Sequence, residues 1–240
     1  MVLRKASTRD QFFQALHGGS TVYTKDMSVD LSAAIIYPDH ARIEVEAALG
    51  IKVALLQINP EWTILFVPRK KQAFRFPTSE LYKNTKRRER FLALLPVPVY
   101  PEIFFEAVLT LAQLRGPQGK SLKCSYDKKM NAYLFRVPEL KGVGGRWVAI
   151  DPTRYLPVEI AYFDRALPTK WGGEDFRPRL RAKFSKLTGQ ALATIPRQIE
   201  LFKNGVSEFR YVWRSAESWT GADKNAMNWR PTASIKVIDY

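Results

Sequence analysis

An α+β fold built on one large antiparallel sheet is predicted by three features of this 240-residue chain. Short apolar–polar alternations recur along most of it, proline, glycine and asparagine punctuate them at tight intervals, and one stretch after residue 78 switches to a helical period. We read about ten or eleven strands interrupted once by two helices. With neither a linker nor an internal repeat, one domain over residues 1–240 is expected.

The opening segment, 1–17, reads as a helix: over 4–17, Phe12, Phe13, Ala15 and Leu16 supply an apolar side and Gly18-Gly19 a stop. A strand pair follows, Ser20 to Lys25 and Met27 to Tyr37, closed by Pro38-Asp39. Ala41 to Phe76 is then a meander. Ile43 and Val45 alternate with Arg42, Glu44 and Glu46, Val53 and Leu55 with Lys52, and Trp62, Ile64 and Phe66 with Thr63 and Leu65. Asn59-Pro60 and Pro68-Arg69-Lys70-Lys71 are turn chemistry, because proline presets φ and donates nothing to a ladder. The corner Ala47-Ala48-Leu49-Gly50 puts a bare leucine where a solvated turn is ordinarily polar.

The helical insert is expected over 79–114. Ser79 to Leu95 is rich in Lys, Arg, Glu and Leu and stops at Pro96-Val97-Pro98; Pro101 to Leu114 starts with proline at its first position and stops at Gly116-Pro117. In this second helix Glu102, Glu106, Thr110 and Gln113 make one narrow polar stripe, so it suits a place across a concave sheet.

After residue 120 the period returns to two. Hairpins are expected at Ser121 to Val137 and at Arg146 to Phe163, then a strand at Arg179 to Leu187. Gln198 to Arg214 turns at Asn204-Gly205, a strong hairpin signal, and Ser234 to Tyr240 is a last strand.

The apolar fraction of 46% supports a sizeable core, whereas the net charge of +15 asks for a partner or a reason: nucleic acid, an anionic membrane surface or a generally basic proteome. The one cysteine, Cys124, excludes an internal disulfide and a cysteine zinc site. His17 and His40 read as helix-end and turn residues. No apolar run approaches the ~20 residues needed to span a bilayer, and the first residues do not form a signal peptide.

Ala41 to Ile58 (ARIEVEAALGIKVALLQI), followed by WTILFVPRKKQAFRF, resembles the strand–loop–strand of the bacterial lipoprotein carriers and receptors LolA and LolB, LolB more closely. LLPVPVYPEIFFEAVL is similar to the family's helical element, VAIDPTRYLPVEIAYFD to its Asp-Pro…Leu-Pro hairpin, and TIPRQIELF to its last Pro-bearing strand. The ordered set covers about residues 20–240. The resemblance implies a half-open antiparallel barrel with helices capping its concave face and an apolar cavity between them. It implies no enzyme and no cofactor, a monomer in the periplasm, and lipoprotein acyl chains, the outer-membrane lipid surface and a periplasmic carrier of the same fold as partners. The N-terminal lipid-bearing cysteine of LolB has no counterpart here, so anchoring to the outer membrane would need a segment upstream of Met1.

On this resemblance Leu49 is the membrane-contact residue. The cavity candidates are Val45, Val53, Leu55, Phe66 and Phe76 from the sheet, Phe91, Leu95, Phe104 and Val108 from the helices, and Trp147, Ile160 and Phe184 from later strands. Lys83, Lys86, Arg87, Arg88 and Arg90 form a basic run, read as a solvated helix face or an anionic-lipid patch, and less readily as a nucleic-acid surface, since no RNP motif, helix-turn-helix or zinc finger accompanies it. A hydrolase would have to draw on Asp151, Glu159, Asp164, Glu174 and Asp175, which no motif ties together. Lys141 to Gly145 is glycine-rich but precedes a strand, so it is expected to be a turn. The segment Gly172 to Pro178 and the excess positive charge have no counterpart in the family.

Overall fold

The structure, a computed structural model, describes residues 15–36, 39–83, 85–95, 122–138, 145–164, 167–188, 195–218 and 223–240. Its elements are β1 (Ala15–Thr24), β2 (Ser28–Ile36), β3 (His40–Ala47), β4 (Ile51–Ile58), β5 (Trp62–Val67), β6 (Gln72–Pro77), α1 (Thr78–Lys83), α2 (Thr85–Leu94), β7 (Cys124–Asp127), β8 (Ala132–Pro138), β9 (Gly145–Ile150), β10 (Pro157–Phe163), β11 (Leu180–Thr188), β12 (Ile195–Lys203), β13 (Val206–Trp213), β14 (Glu217–Ser218) and β15 (Lys236–Asp239). Hydrogen bonds join them in the order β15-β6-β5-β4-β3-β2-β1-β13-β12-β11-β10-β9-β8-β7, with β14 on β1 off that path. Among the described residues β15 and β7 each have one neighbour. The 15 strands of the described residues exceed the expected count, and β15 pairs with β6 in parallel.

The expected opening helix is corrected where it can be seen. Residues 15–17 begin a strand, and 4–14 lie outside the described residues. Gly18 is no helix stop: a Cβ there would stand 2.2 Å from the Ser215 carbonyl oxygen and 2.9 Å from the Ala216 Cα, so close backbone approach demands the glycine. His17 sits on the same strand, opposite Ala34 and Glu217. The helix read over 79–95 is split into α1 and α2. The expected helix at 101–114 and the turn at 141–144 lie outside the described residues.

Backbone contacts group the chain into two compact units. One contains the described residues of Gln14–Phe105 and Tyr211–Tyr240. Here the meander is as the alternation predicts, and register assigns its faces. Val45 opposes Leu31 and Ala54, Ile43 opposes Ala33 and Leu56, and Leu65 opposes Phe74, so these side chains share one face. All of them are buried. α2 rests on this Val45 face, where Phe91 meets Phe76 edge to face at 5.4 Å. Burying each such ring contributes about 1.5–3 kcal/mol. Tyr211 and Trp213 are buried too, and burial pushes the Tyr211 phenol above its ordinary value of 10.0, a shift its hydrogen bond with Ser20 opposes.

The opposite, Leu55, face is covered by the C-terminal segment. Trp229 stacks on Phe66 at 4.7 Å; its backbone N–H donates to Gln57 Oε1 (2.9 Å), while Gln57 Nε2 donates to Asn228 Oδ1 (3.0 Å). The chain then adds β15 to the β6 edge, held by the Arg75–Asp239 pair (2.6 Å) and by Tyr240 stacked on Phe76 at 4.8 Å.

The other unit contains the described residues of Glu106–Arg210. Its turns are set by local chemistry. Asp127 and Asp151 each accept two backbone N–H bonds from the residues that follow, and Asn204 (φ 50) and Gly205 (φ 83) make the expected tight hairpin. Trp147, Ala149, Ala161 and Phe163 form one buried cluster with Leu167. The segment at 167–176 covers it: Trp171 meets Trp147 at 6.2 Å, Phe176 meets Phe163 at 5.3 Å, and Trp147 Nε1 donates to the Pro168 carbonyl (3.2 Å). Of the unassigned segment Gly172 to Pro178, Phe176 joins this aromatic strap, packing on Phe163 and on Trp171.

Candidate functional site

The most exposed large apolar side chain among the described residues is Leu49, 97% accessible. Two local features put it there. Ala47 pairs with Ile51, so only Ala48, Leu49 and Gly50 are left to turn the chain. A register shift after Val45 then leaves Val53 without a direct partner in β3, which twists the tip. Leu49 takes left-handed angles (φ 65, ψ 22), as does Gly50 (φ 71). For a leucine this costs about 1–2 kcal/mol. Ile51, 60% exposed, continues the apolar tip.

Charges frame the strands behind it. Lys52 Nζ donates to Glu44 (2.6 Å) and Arg42 does so from the other side (2.9 Å). The Lys52 bond, with Arg42 adding to it, holds the Glu44 carboxyl below its ordinary value, and the same bond raises Lys52.

The cavity candidates do not share one surface. Val45 and Phe76 lie on one largely apolar face with Phe91 against Phe76, a face that also carries buried Ser20 and Thr63, and Leu95 is buried just past the end of α2. Leu55 and Phe66 oppose each other on the reverse face, under Trp229. Val53 is half-buried at the bulge. In the other unit Ile160 pairs with Ala182, and Phe184 with Ile199, on one face; Trp147 opposes Ala161 on the reverse, under the strap. Alternation with no register in hand lets both faces of a strand qualify. Phe104 and Val108 lie outside the described residues.

The basic run is corrected in part. Lys86 and Arg90 are exposed, but Arg88 is buried (7%) and Arg87 stands 3.8 Å from Glu80, so these side chains do not form one solvated face. Lys83 ends α1. The carboxylates are engaged separately: Glu159 accepts from Arg181 (2.7 Å), Asp164 from Arg179 (2.9 Å), and Asp151 caps its turn. His40 begins β3 with Nδ1 2.6 Å from Asp39. Among the described residues no three His, Cys, Asp or Glu side chains are placed to hold a metal ion, and no helix is long and apolar enough to cross a membrane. Burial raises the Cys124 thiol above its ordinary value.

Residues that sequence reasoning missed stand at the Leu49 end. In a meander every second turn falls at the same end, so the turns after β1, β3 and β5 share one end, bringing Met27 and Arg69 to Lys71 to the end of the sheet that carries Leu49. That rule was available from the strand order alone.

No protein-family model and no curated protein matches the chain. Solved structures do. A domain described as an outer-membrane lipoprotein-sorting protein from Vibrio parahaemolyticus superposes with a TM-score of 0.66 at 10% identity, covering 95% of this chain and 94% of its own. A DUF1329 family protein from Desulfovibrio piger gives 0.63 at 10% identity, covering 95% of each. A LolA superfamily protein from Nitrosomonas europaea gives 0.56 at 8%, covering 93% of this chain and 94% of its own. At such identities the likeness is one of fold.

Proposed function

We propose, from the LolA/LolB-like fold that this chain adopts, that it is a non-enzymatic lipid-binding protein: it accepts lipoprotein acyl chains in an apolar cavity and passes them to a bacterial outer membrane. In this reading it works in the periplasm as one domain and one monomer, taking cargo from a carrier of the same fold. The apolar Val45 face supplies cavity wall, and Leu49 is the point of membrane contact.

The observation that carries the reading is Leu49 itself, 97% exposed on a turn that strains it. A leucine entering acyl chains gains roughly 1.5–3 kcal/mol, enough to bias docking and too little to anchor. Transfer then runs down a gradient of acyl-chain burial, at roughly 0.8 kcal/mol per CH₂. A fluorescent apolar probe should bind the purified protein and be displaced by a lipoprotein or a free fatty acid; failure of both refutes the cavity.

A further inference from the structure

We infer that the Leu49 end of this unit is built to dock on an anionic lipid surface, with three hairpin tips acting together. The inference rests on the reading of Leu49 as a membrane-contact residue and adds the lipid class. Asp30 opposes Glu46, Glu46 opposes Lys52, and Leu55 opposes Phe66, so the turns Thr24–Met27, Ala48–Gly50 and Pro68–Lys71 lie at one end of the sheet. Met27 is 52% exposed and joins Leu49 and Ile51 as apolar tips.

Around them the side chains are basic. Lys25, Arg69, Lys70, Lys71 and Lys236 are exposed, and Lys236 is tied to this end by its N–H donating to the Lys71 carbonyl (3.0 Å). The acidic residues at this end are Asp26, Glu46 and Asp30 opposite Glu46; Asp30 pairs with Arg214 at 3.1 Å, and Lys52 is already engaged by Glu44. The Arg69-Lys70-Lys71 turn is fixed by backbone, since Lys71 N–H donates to the Pro68 carbonyl (3.0 Å) and Pro68 presets the turn. Three cations thus project from a backbone-fixed loop at the end that carries three exposed apolar side chains on the two other tips. Apolar side chains ringed by cations match a bilayer whose acyl layer lies beneath phosphate headgroups. Among the described residues the turns at the other end of this unit's meander carry Asp39 and Glu61 with Asn59, and Lys224 there pairs with Asp39 at 3.5 Å.

The test is co-sedimentation of the full chain with vesicles of phosphatidylcholine, alone or mixed with phosphatidylglycerol. The wild type should bind the mixed vesicles more tightly, and added salt should remove the difference. At roughly fivefold per cation near an anionic surface, Arg69→Glu/Lys70→Glu/Lys71→Glu should weaken binding to mixed vesicles at least roughly 100-fold, while binding to phosphatidylcholine alone changes little. A charge-matched control, Lys86→Glu/Arg90→Glu/Lys123→Glu, should keep the preference. Equal wild-type binding to both vesicles overturns the inference, as does a loss in the control as large as in the turn variant. Leu49→Gln, which removes the apolar tip without adding charge, separates the two readings: it should weaken binding to both vesicle types and leave the ratio between them. If Leu49→Gln binds like wild type while the turn variant loses its preference, the apolar-tip reading fails and the charge reading stands.

Discussion

The turns at the two ends of β4, at Asn59 and at Leu49, lie in the same unit and are closed in opposite ways. At the Asn59 turn side chains hold the backbone. Asn59 Oδ1 accepts from the Glu61 and Trp62 N–H groups (3.0 and 2.7 Å), and Thr78 Oγ1 donates to the Asn59 carbonyl (2.8 Å) and meets Thr63 Oγ1 at 3.1 Å. Phe76 lies beneath, fully buried. At the Leu49 turn no side chain caps the backbone, a leucine holds left-handed angles, and its side chain touches water, whereas the Thr24–Met27 turn at the same end is closed by Thr24 Oγ1. One end is arranged for stability. The other spends stability on an exposed apolar tip, as expected where a surface is kept for a partner.

The comparison can be broken most forcefully at the Asn59 end. Phe76→Ala removes the ring packed against Phe91 and Tyr240 and should cost about 3–5 kcal/mol in denaturant unfolding. A cost below about 1 kcal/mol would show that this end is not the anchor. Next, Asn59→Ala leaves two turn N–H groups without their acceptor and should lower stability by about 1–2 kcal/mol, with vesicle binding unchanged. The Leu49 end should respond in the reverse sense. Leu49→Gly relieves the left-handed strain and should raise stability by up to about 1 kcal/mol while weakening membrane contact. Loss of stability in that variant would mean Leu49 packs against something.

A smaller effect concerns the edge strand β15. The hydrogen bond from Arg75 holds the Asp239 carboxyl below its ordinary value of 3.8. A depressed acid pKa adds stability above that ordinary value and loses it as pH falls through the lower, folded value. The protection factor of the Ile238 amide, its exchange relative to the free-peptide rate at the same pH, should therefore fall in acid in the wild type, and in Asp239→Asn it should be low already at neutral pH. A flat response in the wild type would show that backbone pairing alone holds β15.

Much of this arrangement was legible from residues. Alternation placed β2 to β6, Asn204-Gly205 placed its hairpin, and Leu49 stood out because a leucine in a corner has no local reason to be there. What escaped depended on distant partners. Gly18-Gly19 read as a helix stop because nothing nearby in sequence reveals that Ser215 lies against Gly18. The parallel seat of β15 on β6 joins residues 164 apart at Arg75 and Asp239, and Trp229 reaches Gln57 across 172 positions, so no local periodicity encodes either. Arg88 followed its neighbours into a basic run, yet it is buried. For the same reason the cavity candidates mixed both faces of the strands: which face a strand buries against the helix and which under the C-terminal segment is decided by chain that arrives later.

The most direct test of the central claim is a delivery assay with Leu49→Glu, comparing transfer of a fluorescent lipoprotein from the purified protein to outer-membrane vesicles. The account expects the variant to load cargo as the wild type does and to release it to membranes at least roughly tenfold more slowly, given the 1.5–3 kcal/mol lost with leucine insertion. Delivery at the wild-type rate by a variant that loads normally would contradict it.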